Sequence, residues 1–318
     1  GIKGVVMTAL SLILQKMGKN VWGSDEKNEY QTDPILHARK IQILEGFKEQ
    51  NIKDNIDLLI TTAAHGGLNN IEAFEAKKRG IPVITHAEAL GAIMNEFDKK
   101  IAVCGTHGKT TTTALIAYLF EKMKLKAGYH VGAPEFSGFA GGNCNGSDYF
   151  VTEADEYLSS PGIDNTPRFM YLDPDIVVCT SIEYDHPDVY ETAEKMEDAY
   201  RLFFSRLDKK KGTLIYKKND SRLCEIAATF PNLKTIAFSE EDFASVQLSV
   251  SGSHNRLNAV AALCVIRELG LDIDSAKQYI SNFTAPKRRF EKIFERKQSH
   301  LCPNGFESIG SFCHGNFN

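Results

Sequence analysis

AVCGTHGKTTTTALIA, residues 102–117, decides how the rest of the sequence is read. An apolar run empties into a turn holding Gly105 and Gly108. A lysine and four threonines follow, then apolar residues at helical spacing. Strand, glycine turn, Lys-Thr and helix is the arrangement that holds a nucleotide's phosphate chain. Glycines let the backbone come close, so that N–H groups at a helix start converge on one anion. On this reading Gly105, Thr106, His107 and Gly108 shape the loop, and Lys109 brings a mobile positive charge. Thr110 offers a hydroxyl to a Mg²⁺ ion bound to the phosphates. Thr111, Thr112 and Thr113 fall in the first helical turn, within reach of phosphate or substrate. The loop is the shorter G-T-H-G-K-T form, with Val103 where the longer pattern has its first glycine. The competing reading is a glycine-capped strand–helix turn without a ligand.

Strand and helix patterns alternate on both sides of this loop, which predicts an α/β fold with a parallel, doubly wound sheet. Residues 5–17 read as a helix, and a strand ends in Gly23-Ser24-Asp25. Residues 56–61 read as a buried strand, 71–79 as a helix ended by Gly80, and 82–85 as a strand; 40–49 is too mixed to assign. After a charged joint at 95–100 a second series begins, with strands at 100–104, 149–153, 175–180 and 213–216. Its helices are at 110–123, 193–206 and 255–269. Residues 128–147 are rich in glycine with little periodicity and read as a long loop, functional or mobile. The expected division is a Rossmann-like domain over 1–97, an ATP-binding domain with a parallel sheet over 98–290, and an irregular tail over 291–318.

The 318-residue chain carries a formal net charge of −4, which gives no overall basic footprint for nucleic acid. No stretch is long and apolar enough to insert into a membrane. The opening GIKGVVMTALSLILQKMG superficially resembles a signal peptide but lacks a small-residue cleavage site, and reads as a loop and helix inside a fold. Seven cysteines, scattered and never in a C-x-x-C pair, point to reduced thiols and a cytoplasmic protein.

Two further clusters fit the phosphate loop. FVTEADEY (150–157) is a strand emptying into Glu153, Asp155 and Glu156, and TSIEYDHPD (180–188) is another, with Glu183, Asp185 and His186. Ligands in open α/β sheets sit beyond the carboxyl ends of the strands, so these groups should converge on the loop. Mg²⁺ takes oxygen ligands, which makes Glu153 a partner for Thr110. From the residues alone, His186 is either a ligand or a hydrogen-bonded loop histidine. Asp155 and Glu156 are either site residues, solvated charges or a helix cap.

GTHGKTTTT (105–113), EADEY (153–157), SIEYDHPD (181–188), GSHNRLNAVAA (252–262) and KRRFE (287–291) occur in the order they have in the Mur ligases. The chain resembles that family over about residues 1–291. The resemblance implies ATP and Mg²⁺ as cofactors, held by the phosphate loop, Glu153 and His186. It places His254, Asn255 and Asn258 at the adenine edge and Arg289 near the phosphates. A helix cap and a solvated basic run are the respective alternatives. It assigns UDP binding to the N-terminal part, with Gly1 and Gly4 in a glycine loop before a helix and Asp25 facing ribose or base. The family pattern has glycine where Val6 stands, and a strand ahead of Gly1. The implied substrates are UDP-N-acetylmuramate and L-alanine. Arg201 stands near where some members carry a carbamylated lysine, which fits the alanine-adding branch. A branch that adds whole murein tripeptides shares the EADEY form, and a non-catalytic nucleotide-binding remnant is a further alternative. The family continues after Phe290 into a third domain, whereas residues 294–318 read FERKQSHLCPNGFESIGSFCHGNFN, with little periodicity.

Overall fold

The computed structural model describes residues 1–185, 187, 189–210, 212–249 and 252–286. The N-terminal region runs α1 (Val5–Lys16), β1 (Trp22–Asp25), α2 (Asp33–Ala38), β2 (Gln42–Glu45), β3 (Leu59–Thr61), α3 (Ile71–Lys78), β4 (Val83–Thr85) and α4 (His86–Met94). β1 pairs in parallel with β2, and β3 in parallel with β4. The expected strand at 56–61 is shorter than predicted and only partly buried, because Asp57 and Leu58 lie outside the β3–β4 ladder. The unassigned stretch 40–49 supplies β2, whose ends Gln42 and Glu45 are exposed and whose only two apolar residues, Ile43 and Leu44, are partly buried, too few to set a period.

The rest runs β5 (Lys99–Cys104), α5 (Lys109–Lys122), β6 (Ala127–Phe136), β7 (Phe139–Cys144), β8 (Tyr149–Glu153), β9 (Leu158–Ser160), β10 (Asp164–Pro167) and β11 (Ile176–Cys179). It continues with α6 (Ala193–Lys210), β12 (Thr213–Lys217), α7 (Ser221–Ala228), β13 (Lys234–Phe238), α8 (Ser253–Glu268) and α9 (Ile273–Ile280). Seven strands form one sheet in the order β13-β12-β11-β5-β8-β6-β7, parallel throughout except for the β6–β7 hairpin.

Alternation along the strands sorts the core into two layers. Ile101, Val103, Val151, Val178 and Ile215 pack with α5, α8 and α9 on one face. Ala102, Cys104, Phe150, Val177 and Leu214 pack on the other with α4, α6 and α7. The doubly wound sheet is therefore the predicted one.

The expected loop at 128–147 is instead β6 and β7. Its glycines allow close packing. A Cβ at Gly142 would lie 2.0 Å from the Ala9 carbonyl oxygen in α1, and one at Gly141 2.1 Å from that of Ala133 in β6. Helix α1 thus lies directly on the hairpin. The glycines that erased the periodicity are what admits the helix backbone.

Candidate functional site

β5, β8 and β11 lie side by side, and their carboxyl ends carry the three clusters singled out in the sequence. Between β5 and α5 the chain turns through Gly105 (φ +120°) and Gly108 (φ +87°). Both angles favour glycine, and the space demands it. A Cβ at Gly105 would sit 2.5 Å from Thr180 Oγ1 and 2.7 Å from the Ser181 carbonyl oxygen; one at Gly108 would sit 2.5 Å from Asn258 Oδ1.

The loop is pinned to the end of β11. Thr106 N donates to Ser181 O (2.9 Å), His107 N to Ser181 Oγ (3.2 Å), and the Thr180 hydroxyl to His107 O. Two N–H groups expected to face phosphate are therefore committed to Ser181. What remains for an anion is the start of α5, whose first N–H groups have no partner inside the helix. The His107 ring is exposed and lies 3.6 Å from Glu183.

Lys109 is not a free arm. Its Nζ donates to Gly105 O (2.7 Å) and to both oxygens of Glu156 (2.9 and 2.8 Å). Glu156 is buried, and burial pushes its carboxyl above the ordinary range while Lys109 opposes the shift. Asp155 accepts from Arg168 at 2.9 Å. Neither acid is the solvated charge or helix cap that the sequence left open. The i, i+3 spacing from Glu153 to Glu156 gave no hint of this, because the segment is not helical.

The threonines divide the work. Thr110 Oγ1 donates to Glu153 Oε2 (3.0 Å), Thr112 Oγ1 to Asn258 Oδ1 (3.2 Å), and Thr113 Oγ1 back to Lys109 O (2.9 Å); Thr111 is buried. Glu153 Oε1 accepts from Gly132 N at 2.6 Å. Burial raises the Glu153 pKa above the usual carboxylate range, against those hydrogen bonds and the Lys109 charge. A carboxylate crowded by protein and joined to a threonine hydroxyl is an oxygen donor set that suits Mg²⁺. Among the described residues no cluster of three or more His, Cys, Asp or Glu side chains is shaped to hold a metal by itself.

Of the residues expected at the adenine edge, His254 is exposed, while Asn255 and Asn258 are buried. Asn258 spends its carbonyl on Thr112 and abuts Gly108, so it braces the loop from α8. His186, Arg289 and the tail 291–318 lie outside the described residues.

In the N-terminal region the Gly1 amine donates to Ser24 O (2.7 Å), and Gly4 caps α1. Asp25 is buried and turned to the loop backbone. Its Oδ2 accepts from Lys3 N (2.7 Å) and its Oδ1 from Glu26 N (2.8 Å). A small cleft lined by Val6, His86, His130, Gly132, Glu153 and Arg168 joins this region to the rim of the large sheet. There the two imidazole Nε2 atoms meet at 3.2 Å, and His130 Nε2 also lies 2.9 Å from the Val6 carbonyl oxygen. Val6, noted in the sequence as a departure in the glycine loop, thus contributes its backbone to the junction.

No helix among the described residues is long and apolar enough to cross a membrane. Residues 103–249 match the Mur ligase middle domain, and residues 1–98 match the family model described as Mur ligase family, catalytic domain. The chain is 34% identical to the UDP-N-acetylmuramate--L-alanine ligase of Acetivibrio thermocellus, over 92% of this chain and 65% of that protein. It is 33% identical to the enzyme of the same name from Caldicellulosiruptor saccharolyticus, over 92% of this chain and 68% of that one. It therefore spans about two thirds of the length of these relatives. In fold it is similar to the UDP-N-acetylmuramate:L-alanyl-gamma-D-glutamyl-meso-diaminopimelate ligase of Neisseria meningitides, with a TM-score of 0.77 and 24% identity, over 91% of this chain and 98% of that one. With two consecutive family domains matched and a phosphate loop braced by carboxylates at adjacent strand ends, this chain belongs to the Mur ligase family.

Proposed function

We propose that this chain supplies the sugar-nucleotide and ATP-binding parts of an ATP-dependent ligase that joins L-alanine to the lactyl carboxylate of UDP-N-acetylmuramate. Residues 1–97 take the UDP-sugar and 98–290 the ATP. A lactyl carboxylate oxygen attacks the γ-phosphorus of ATP and ADP leaves, giving an acyl phosphate. The L-alanine nitrogen then attacks the acyl carbon, inorganic phosphate leaves, and the nitrogen gives up its proton. This chemistry needs charge neutralisation and alignment. Lys109 turns from Glu156 to the phosphates, and the α5 N-terminus receives them. Thr110 and Glu153 hold Mg²⁺, which when bound neutralises phosphate charge, with His186 and Arg289 as further candidate ligands to metal and phosphate. His254 and Asn255 flank the base, and Asn258 fixes the loop beneath it.

One observation carries the reading: Lys109 and Thr110, adjacent at the start of one helix, each contact a carboxylate from the same strand end. The test is ADP release by the chain supplied with ATP, Mg²⁺, UDP-N-acetylmuramate and L-alanine, alongside binding of a nonhydrolysable ATP analogue. Nucleotide binding with ADP release dependent on both acceptors supports it. Failure to bind nucleotide overturns it, and binding without turnover marks a non-catalytic remnant. The tyrosine of EADEY, Tyr157, favours a second reading, in which a murein tripeptide replaces L-alanine. ADP release with the tripeptide alone would select it.

A further inference from the structure

The cleft between the N-terminal region and the large sheet holds an arrangement that the ligase reading does not use. Three atoms with lone pairs, one from each of three elements, meet there. His86 is the first residue of α4, His130 lies in β6, and Val6 is in the first turn of α1. The two Nε2 atoms are 3.2 Å apart, and His130 Nε2 is 2.9 Å from the Val6 carbonyl oxygen. That oxygen also faces the His86 ring. Around a tetrahedral Zn²⁺ with bonds of about 2.0–2.1 Å, neighbouring ligand atoms stand about 3.3 Å apart. The triangle is therefore close to one face of such a site.

The outer nitrogen of His130 bears on what the inner one offers. His130 Nδ1 lies 3.4 Å from Thr152 Oγ1, and that hydroxyl donates to Glu153 O at 3.2 Å, so it is left to accept from the ring. With the proton on Nδ1, Nε2 keeps a lone pair. That lone pair and the Val6 oxygen then repel at 2.9 Å unless a positive centre lies between them, and a proton on His86 Nε2 would have both to serve. An outer nitrogen bonded to a polar group is also how metal-bound histidines are oriented. Burial holds both rings below their usual pKa, in the neutral form that ligates. The cleft encloses about 50 Å³, room for an ion and one water. The rest of its lining carries two carboxylates, Glu153 and Asp155, against one guanidinium, Arg168.

We propose that His86 Nε2, His130 Nε2 and the Val6 carbonyl oxygen are three ligands of a transition-metal ion, with Zn²⁺ the best fit and water in the fourth position, facing the cleft. Imidazole suits zinc, whereas Mg²⁺ takes oxygen, so this site is separate from the Thr110–Glu153 pair. Among the described residues no third His, Cys, Asp or Glu side chain completes the set, which is why the third ligand is backbone. The ion staples α1 and α4 to β6, and so fixes the N-terminal region against the large sheet. The inference is independent of the ligase reading.

The test titrates the full chain, stripped with a chelator and free of nucleotide, with Zn²⁺ alone. One ion should bind per chain, and Tm should rise by about five degrees at a hundredfold excess over Kd. A tenfold excess of Mg²⁺ should not displace it. His86→Ala and His130→Leu should each weaken binding at least tenfold and together abolish the gain in Tm. Co²⁺ in place of Zn²⁺ should give the visible absorption of a tetrahedral site without a thiolate charge-transfer band. No binding at millimolar Zn²⁺, or unchanged affinity in the variants, overturns the proposal. So does a thiolate band, which puts the ion on cysteine, or displacement by Mg²⁺, which puts it on Thr110 and Glu153. His86 is only half-buried, so if His130→Leu does not fold, His86→Ala alone decides.

Discussion

At the scale of single residues, the partly buried Lys109 pairs with the buried Glu156, and removing the lysine leaves a buried carboxylate without its counterion. Lys109→Ala should cost about 3 kcal/mol of stability and lower ATP affinity more than tenfold. The double variant Lys109→Ala/Glu156→Gln should recover stability but not nucleotide binding, read by thermal melts and titration. Recovery of both would deny Lys109 a role at the phosphates. Glu153 poses the opposite case, a carboxylate whose folded pKa is raised. Such a group favours folding below its ordinary value of 4.5, and that contribution is lost as pH rises through the folded value. Glu153→Gln should therefore be more stable than the parent at neutral pH, by roughly 1 kcal/mol. The difference should vanish in acid, and Mg²⁺-dependent nucleotide binding should be lost. A variant less stable at neutral pH contradicts the assignment. The sequence made Lys109, Thr110 and Glu153 visible because a motif fixes their spacing. It did not reveal Glu156 as the lysine's counterion, because that contact spans 47 residues and depends on β5 and β8 being neighbours.

At the scale of elements, the contact between α1 and the β6–β7 hairpin rests on a glycine. Gly142→Val would drive a side chain into the Ala9 carbonyl and should cost about 3 kcal/mol, seen as a lower melting temperature with native-like far-UV circular dichroism just below the transition. An unchanged melt would mean that helix and hairpin separate freely. The start of α4 is held by a capping box. Thr85 Oγ1 accepts from Glu88 N at 3.3 Å, and Glu88 Oε2 accepts from Thr85 N at 2.7 Å. Thr85→Ala should cost about 1 kcal/mol in denaturant titration. Helices α1, α3, α5, α6 and α8 were legible from their apolar period, and the central strands from unbroken apolar runs, whereas α2, α4, α7 and α9 were not assigned. The hairpin was not, because glycine has no side chain to register a period.

At the scale of the whole molecule, the His86–His130 contact joins α4 to the rim of the large sheet. Burial lowers both pKa values: His130 falls to about 4, and His86, further opposed by the charges on His130 and Arg168, falls well below its usual 6.5. Unfolded, both rings take up protons near pH 6.5; folded, they resist. Their contribution to stability is therefore present above pH 6.5 and drains away as pH falls toward 4. Melting temperatures measured across that window should fall more steeply for the parent than for His130→Leu. Parallel curves would show that the junction does not titrate.

The sequence by itself determined the alternation of strands and helices that makes a doubly wound sheet, the glycine turn with its Lys-Thr, and the strand ends carrying carboxylates, because each is written in local period or fixed spacing. Tertiary structure alone decided which carboxylate faces the lysine, that Ser181 takes two of the loop's N–H groups, and that α1 lies directly on the β6–β7 hairpin. Those outcomes depend on which strands become neighbours, and neighbours far apart in sequence are chosen by packing of the whole sheet, which no local pattern encodes.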